Sequence, residues 1–420
     1  MATAMGAQKP DVVIVGGGVM GLTSAYYLAR QGAAVTVLEK GQLPAGSSYG
    51  NAGLVVPSHL QPLCSPANVR EGLRHLANPT GSFSIDLSAD PWRMAWLARF
   101  VRHSRTDHVR YAVGIYRVLA DRSLVLHDDL VRQGGQAYEY SRNGLLCIHE
   151  TPQSLEAAAR EAEELARSGR PARVLDADQV RDLVPAAGSC IAGGVFQEPD
   201  GRLHPAAFIS WLADEVRRAG GRILEGTEVF GASLAGTGVR RLQTTKGPME
   251  ADQFVLAAGA WTGRLGAMLG RRLPVEAAKG YSITYEKPAK TVSLPLLLEE
   301  ARVAVTPFAD SLRLAGVLEL SGLDDRLSAR RIAAMEHDLR RILPGLGPLK
   351  VREIWRGFRP CTPDGLPIIG RLRRPHNVVV ATGHATKGIF LGPVTGEMVS
   401  QLLSGSRLDP SLHKALDPNR

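Results

Sequence analysis

No stretch of the 420-residue chain stays apolar for the roughly 20 residues that a membrane-spanning helix needs. Cysteine is scarce. Cys64, Cys147, Cys190 and Cys361 are widely spaced, form no C-x-x-C pair and have no histidine at metal spacing. They read as free thiols, which excludes a disulfide scaffold or a zinc ribbon, and no metal is expected. The net charge is +9, yet its lysines and arginines are scattered and build no basic block, so nucleic acid is not an expected partner. A basic surface of this kind suits an anionic substrate or an anionic membrane face. Internal repeats and low-complexity tracts are also missing. The first residues, MATAMGAQKP, lack a long apolar region and a cleavage site, so they read as a loose tail and the expected compartment is the cytoplasm.

What remains is the composition of an ordinary globular enzyme, 44% hydrophobic and 22% charged, on a chain long enough for two intertwined domains. Val12 to Val15 form an unbroken β-branched run that reads as a buried strand, residues 19–31 as a helix and "AAVTVLEK" as the next strand. Such a β-α-β unit opens the chain. Residues 54–90 read as a long connection and 91–134 as helical. Strands are expected in "AYEYSRNGLLCIHE", a solvated helix over 151–168, then a helix and strand from Pro205. "MEADQFVLAAGAW" reads as a further strand, 280–320 as a set of strands and 328–342 as a helix. The segment from Asn377 reads as strand, turn and helix. The fold class is therefore α/β. A Rossmann-type domain assembled from discontinuous segments (10–95, 190–270 and 345–410) is joined to an antiparallel-sheet substrate domain (96–189 and 271–344).

Gly16, Gly18 and Gly21 fit G-x-G-x-x-G. The first permits a tight turn off the strand, the second lets backbone approach a diphosphate, and the third lets helix pack on strand. Glu39, at the end of the second strand, stands where a ribose hydroxyl would be bound. The alternative is a plain turn with a satisfied surface glutamate. NAD and FAD both suit such a unit. Three later clusters, "GSSYGNAGLV", "FVLAAGAW" and "ATGHATKGIF", add small residues and a second glycine turn at a helix start. A helix N-terminus stabilises the negative charge of a reduced flavin, so together they favour FAD.

At this point the chain resembles the D-amino acid oxidase superfamily of FAD amine oxidoreductases, and within it the bacterial D-amino acid dehydrogenases. "SYGNAG", "DPWRMAWLARF", "AAKGYSITYE", "WRGFRPCTPDGLPIIG" and "VVVATGHATKGIFLGPVTGEMV" carry the likeness. The resemblance implies a cofactor set in five groups. Gly16, Gly18, Val19, Met20 and Gly21 surround the first turn, with Glu39 and Lys40 beyond it. Ser47, Ser48, Asn51, Ala52, Gly53 and Leu54 lie along the flavin side. Val229 meets adenine through its backbone. Ala258, Gly259 and Trp261 pass the diphosphate. Gly383, Thr386, Lys387, Gly388 and Ile389 approach the ring. Cys361 stands directly before Thr362, not at the offset for covalent attachment, so FAD is expected to bind non-covalently.

Arg359, in "GFRPCTPDG", matches the arginine that binds the substrate carboxylate in related oxidases; the alternative is a structural pair with Asp364. Tyr281 and His384 are candidates to line the pocket or bond the amine, against packed rings with satisfied polar tips. Two departures stand out: Ala301 where a tyrosine is common, and Lys387 in place of a neutral residue. Lys387 reads equally as a support for the flavin anion or an acidic group and as a solvated side chain. The implied reaction is oxidative deamination of a D-amino acid to a 2-oxo acid and ammonia, with hydride passing from Cα to flavin N5. Electrons then go to a quinone or other respiratory acceptor. Trp92, Trp96 and Phe100 share a helical face beside Arg99, Arg102 and Arg105, which reads as a core face or as peripheral contact with the inner membrane surface. The rivals are an oxygen-using amino acid or amine oxidase of glycine or sarcosine type, a D-hydroxyproline dehydrogenase and a non-catalytic FAD-binding subunit. An NAD-dependent dehydrogenase is a more distant one.

Overall fold

The computed structural model describes residues 10–44, 46–75, 83–85, 90–167 and 169–420. The expected N-terminal tail and parts of the expected 54–90 connection lie outside them. Within that connection a short strand, Leu54–Val55, and a helix, Pro66–His75, stand where only a loop was read.

Strand Asp11–Val15 is the centre of the molecule. It pairs in parallel with Ala34–Leu38 on one side and Gln253–Leu256 on the other. Val12 to Val15 are buried, as an apolar run covered on both faces requires. The sheet has six strands, in the order Ile368–Arg371, Val378–Thr382, Gln253–Leu256, Asp11–Val15, Ala34–Leu38 and Arg222–Leu224. Only its edge strand, Ile368–Arg371, runs antiparallel to its neighbour.

Two helices cross on this sheet, Val19–Arg30 and Gly388–Leu403. Glycine sets their approach. A Cβ on Gly396 would lie 2.5 Å from the Thr23 backbone, and one on Gly392 would lie 2.6 Å from Val19 Cγ2. Pro393 interrupts the donor series inside the second helix. The nearby Phe390 carbonyl accepts from Ser123 Oγ at 2.6 Å and lies 2.9 Å from His127 Nε2, both on the long covering helix Thr106–Gly134. Burial lowers the His127 pKa to about 4, which keeps the ring neutral in that role.

The second sheet has nine strands. Its main path runs Val351–Cys361, Glu276–Glu286, Ser311–Leu320, Val303–Pro307, Leu296–Leu298, Leu145–His149, Gly193–Gln197 and Ala172–Asp176. Phe83–Ile85 pairs beside Leu318–Leu320. Helix Ala329–Ile342 lays Ile332, Met335, Leu339 and Ile342 against Tyr281, Ile283 and Tyr285. Three strands inside segments expected for the nucleotide domain therefore belong to this sheet: Phe83–Ile85, Gly193–Gln197 and Val351–Cys361. Motif spacing marked those segments, whereas hydrogen-bonded pairing places them.

Helix Pro91–His103 is capped by Asp90, which accepts from Trp92 N at 2.9 Å. Its aromatic stripe faces inward. Trp96 and Phe100 are buried and stacked at 5.4 Å, Trp96 Nε1 donates to Pro274 O, and Arg272 covers Trp92. The core-face reading is the one observed. Among the described residues no helix is long and apolar enough to cross a membrane.

The helix crossing yields a direct test. Gly396→Ala forces a Cβ into backbone, which has no rotamer to yield, and is expected to cost about 1–3 kcal/mol. The denaturant midpoint, compared with that of an exposed helical control such as Gly114→Ala, where a Cβ meets nothing, measures it.

Candidate active site

Two adjoining cavities lie where the sheets meet, and Ser47, Asn51 and Ala385 border both. The larger, about 620 Å³, follows the C-terminal end of the parallel sheet. The smaller, about 310 Å³, is floored by the nine-stranded sheet.

The larger cavity is built on the first glycine turn. Gly16 has φ +112°, and a Cβ there would meet Ala257 O at 2.5 Å. Helix Val19–Arg30 begins at Gly18 without a side-chain cap. Ser48 Oγ accepts from Val19 N at 3.1 Å. Glu39 accepts from Gly17 N at 2.8 Å and Gly41 N at 2.9 Å, so its carboxylate also clamps the turn. Of the expected cofactor residues, Gly16, Gly18, Val19, Met20, Glu39, Lys40, Ser47, Ser48, Asn51, Val229, Ala258, Gly259, Trp261, Gly388 and Ile389 border this cavity. Lys40 Nζ lies 3.6 Å above the Trp261 ring. Arg264 and Arg356, which the sequence reading missed, add cations to the wall.

Three expected contacts border neither cavity: Gly21, Gly53 and Gly383. Each is a packing or turn glycine. A Cβ on Gly21 would lie 1.8 Å from Gly16 O. Gly53 and Gly383 have φ of +76° and +85°, with Leu203 O and Thr362 Cγ2 in the way of a side chain. Ala52, Leu54, Thr386 and Lys387 border the smaller cavity.

His384 sits in the larger cavity's wall, fully buried, at the head of helix Gly388–Leu403. Burial lowers its pKa to about 3, so the ring is neutral. Thr395 Oγ1 donates to Leu391 O at 2.8 Å and therefore accepts from His384 Nε2, also at 2.8 Å. That assigns the proton to Nε2 and leaves Nδ1 as a buried acceptor with no protein partner. A hydrogen-bond donor on a bound molecule is what such an atom lacks. With the glycine cradle and two helix starts without side-chain caps, it makes the cavity fit a dinucleotide with a heterocyclic ring.

Arg359 borders the smaller cavity on strand Val351–Cys361. Its guanidinium donates to Val317 O at 2.5 Å and Gly316 O at 3.4 Å. Among the described residues no carboxylate pairs with it. Asp364, the alternative partner, binds Arg420 at 2.8 Å instead. Space for the guanidinium comes from Gly280, whose Cβ would lie 2.3–2.5 Å from Nη1, Cζ and Nη2. Register shifts at this point of the pairing, and Val317 takes φ +61°, a strained backbone for a β-branched residue. The strain turns a carbonyl onto the cation.

Tyr281 lines the cavity as expected, with the satisfied polar tip of the alternative reading. Its hydroxyl donates to Glu319 at 3.1 Å in a cluster with Lys279 and Arg331. Strand alternation sends its ring into the core under helix Ala329–Ile342, while Gly280 faces the arginine. Ala301 packs at the edge of that same core, and Arg302 and Ala304 border the cavity. Lys387 Nζ donates to Gln61 O at 2.8 Å and lies 4.8 Å above Tyr116. Burial lowers its pKa to about 8. Sequence reading also missed His59 and Trp355 in the smaller cavity. Trp355 lies flat over Gly357 and Gly50, both sterically closed to a side chain; the glycine before "NAG" and the glycine after the tryptophan were the available signal.

Comparison with known proteins agrees with this geometry. The family model described as DAO, FAD dependent oxidoreductase, matches residues 11–402. A D-amino acid dehydrogenase of Bradyrhizobium diazoefficiens is 33% identical over 406 residues, covering 94% of this chain and 95% of that protein. One from Rhizorhabdus wittichii is 31% identical over 402 residues, covering 94% and 96%. Among solved structures, glycine oxidase from Geobacillus kaustophilus matches with a TM-score of 0.77 at 24% identity over 96% of each chain. L-Proline dehydrogenase from P. horikoshii matches with a TM-score of 0.74 at 21% identity over 98% of each. At those identities the structural likeness speaks for the fold.

The Lys387 environment sets a pH dependence. The folded chain releases this proton at about 8, the unfolded chain near the ordinary lysine value of 10.5. Between them the unfolded state binds more protons, so this group's contribution to stability rises with pH across the window and is lost as pH falls through 8. In Lys387→Met that component of the slope disappears, which urea midpoints taken between about pH 8 and 10 will show.

Proposed function

This chain belongs to the DAO family of FAD-dependent oxidoreductases, and from that premise we propose that it deaminates amino acids oxidatively, with D-amino acids as substrates. The products are the 2-oxo acid and ammonia, and the electrons pass to a quinone or other respiratory acceptor. The observation that carries the reading is the Arg359 guanidinium, bordering a cavity that adjoins the dinucleotide site and holding no carboxylate of its own.

In this reading the Gly16–Gly18 turn and the start of helix Val19–Arg30 hold the diphosphate. Glu39 takes the ribose hydroxyls and the Val229 backbone faces adenine. The Gly383–Ile389 turn and Ser48–Asn51 flank the ring. Bound FAD supplies a two-electron acceptor at N5 for the hydride leaving the substrate Cα. Arg359 grips the substrate carboxylate through two charge-assisted bonds and so orients the Cα–H. The bare Nδ1 acceptor of His384 fixes the ring edge or the amine, and its neutral imidazole adds no positive charge there. Trp355 and the Gly50–Gly357 floor keep the cavity narrow and apolar beside the reacting carbon. The amine must arrive neutral, and water then hydrolyses the released imino acid. The relatives named D-amino acid dehydrogenase support the substrate and its chirality. The net charge of +9 favours an anionic membrane face where a quinone is held, although the aromatic stripe of helix Pro91–His103 is not free to anchor there.

Anaerobic mixing with D- and L-amino acids, sarcosine and proline derivatives tests the whole reading. D-Amino acids are expected to bleach the flavin, and a quinone analogue to restore its colour faster than air. Bleaching by L-isomers alone would overturn the chirality, and stoichiometric peroxide under air would make the protein an oxidase. Arg359→Ala is expected to lower kcat/KM by about 100-fold or more, roughly 3 kcal/mol, with FAD retained. Gly280→Ala, which leaves the guanidinium chemically intact, is expected to approach the same loss by displacing it; wild-type kinetics in both variants would remove Arg359 from the role.

A further inference from the structure

Beside the smaller cavity three ligand-type atoms converge that the reaction above does not use. His59 Nε2, Cys147 Sγ and a Glu299 carboxylate oxygen lie within 4.8 Å of one another. We propose that these three groups form a binding site for a single divalent transition-metal ion of the zinc class.

The placement follows from sheet register. Strands Leu145–His149 and Leu296–Leu298 run parallel with Leu297 opposite Cys147. Glu299 follows the strand's last residue, Leu298, and its carboxylate reaches back to the Cys147 sulfur. Its amide donates to Ile148 O at 3.1 Å, which holds the end of the strand against Cys147. His59 descends onto this pair from the loop after Leu54–Val55, with Nε2 at 3.9 Å from the sulfur. A tetrahedral zinc with ordinary Zn–S and Zn–N bonds spaces those atoms roughly 3.6 Å apart, so a few tenths of an ångström complete the contact.

Behind the imidazole stands a built support. Asp200 is fully buried and faces His59 Nδ1 at 3.6 Å. Ser58 N donates to it at 3.2 Å, and Ser58 Oγ bonds it as well. Ser58 Oγ donates to Asp200 and so accepts at 3.4 Å from His59 Nδ1, which favours the tautomer that leaves Nε2 bare for a metal, an arrangement like that behind ligating histidines. Cysteine, histidine and a carboxylate together select a borderline ion over magnesium or calcium. The balance is simple: the ion sheds water, the Cys147 thiol loses its proton to solvent, and the thiolate and the Glu299 carboxylate neutralise the two charges. Three protein ligands leave a fourth position open. His59 is a third exposed and borders the cavity that holds Arg359, which provides both the entry path and the direction of that position.

The test uses the full-length, FAD-loaded chain, stripped with a chelator and titrated with cobalt(II) and then zinc. One cobalt per chain is expected to bind with a thiolate-to-metal charge-transfer band and release of about one proton, and zinc then displaces it with no further proton release. Cys147→Ser abolishes the band. Glu299→Gln and Asp200→Asn weaken zinc binding about 10–100-fold while the flavin spectrum reports an intact fold. Cobalt binding without the thiolate band, or wild-type zinc affinity in Cys147→Ser and Glu299→Gln, overturns the proposal. An ion at this place also crowds the substrate, so zinc is expected to raise KM with kcat unchanged. That last readout rests on the function proposed above; the cobalt spectrum does not.

Discussion

The close crossing of helices Val19–Arg30 and Gly388–Leu403 is the contact on which the rest depends. Their N-termini lie at one cavity because Gly392 and Gly396 let the second helix rest on Val19 and Thr23. A side chain at either glycine separates the axes, and the two positive helix ends then no longer converge on one ligand. The molecule reinforces the contact where it is weakest. Pro393 breaks the donor ladder of the second helix, and Ser123 and His127 supply hydrogen bonds to Phe390 from a third helix. Residues more than 250 positions away in sequence thus maintain the helix start that carries His384 and Gly388.

Near the smaller cavity three cations share one design. Arg359 is solvated by the carbonyls of Gly316 and Val317. Arg313, buried, is solvated by the carbonyls of Tyr49 and Asn51, which also ties the Gly46–Tyr49 helix to the nine-stranded sheet. Lys387 is held by the Gln61 carbonyl. Carbonyl oxygens satisfy the N–H donors without cancelling the charge, whereas a carboxylate would do both. The positive potential therefore remains available to an incoming anion. Its cost is visible in the Val317 backbone at φ +61° and in the lowered Lys387 pKa.

How much of this was legible in the sequence follows from the range of each signal. The first β-α-β unit, its glycine turn, Glu39 and the C-terminal strand–turn–helix were readable because each is encoded within about 30 contiguous residues. The family resemblance was readable for the same reason, since its motifs are local. The cradle of Arg359 was not. It needs Gly280, Gly316 and Val317, which lie some 40 to 80 positions before it and are aligned by a register shift that no spacing announces. Tyr281 shows how parity decides a role: one position separates the glycine under the arginine from a tyrosine whose hydroxyl serves Glu319. Val351–Cys361 illustrates the same limit: its motif groups it with the nucleotide unit, while its hydrogen bonds pair it in the nine-stranded sheet.

That division has a consequence for chemistry. The dinucleotide cradle is specified by glycines whose Cβ positions collide with backbone, at Gly16 against Ala257 and Gly21 against Gly16 itself. Such positions tolerate almost no change, so the cofactor geometry is rigid. The substrate cavity is walled by side chains from several strands and loops: His59, Leu297, Arg302, Trp355 and Lys387. None of these side chains is among the atoms that close Gly16 or Gly21. Arg359 and its Gly280–Val317 seat join the two systems, because Ser47, which borders both cavities, hydrogen-bonds the Phe358 carbonyl immediately before it. Under the proposed function, the carboxylate anchor is thereby indexed to the cofactor, while the rest of the wall sets which side chain the substrate carries.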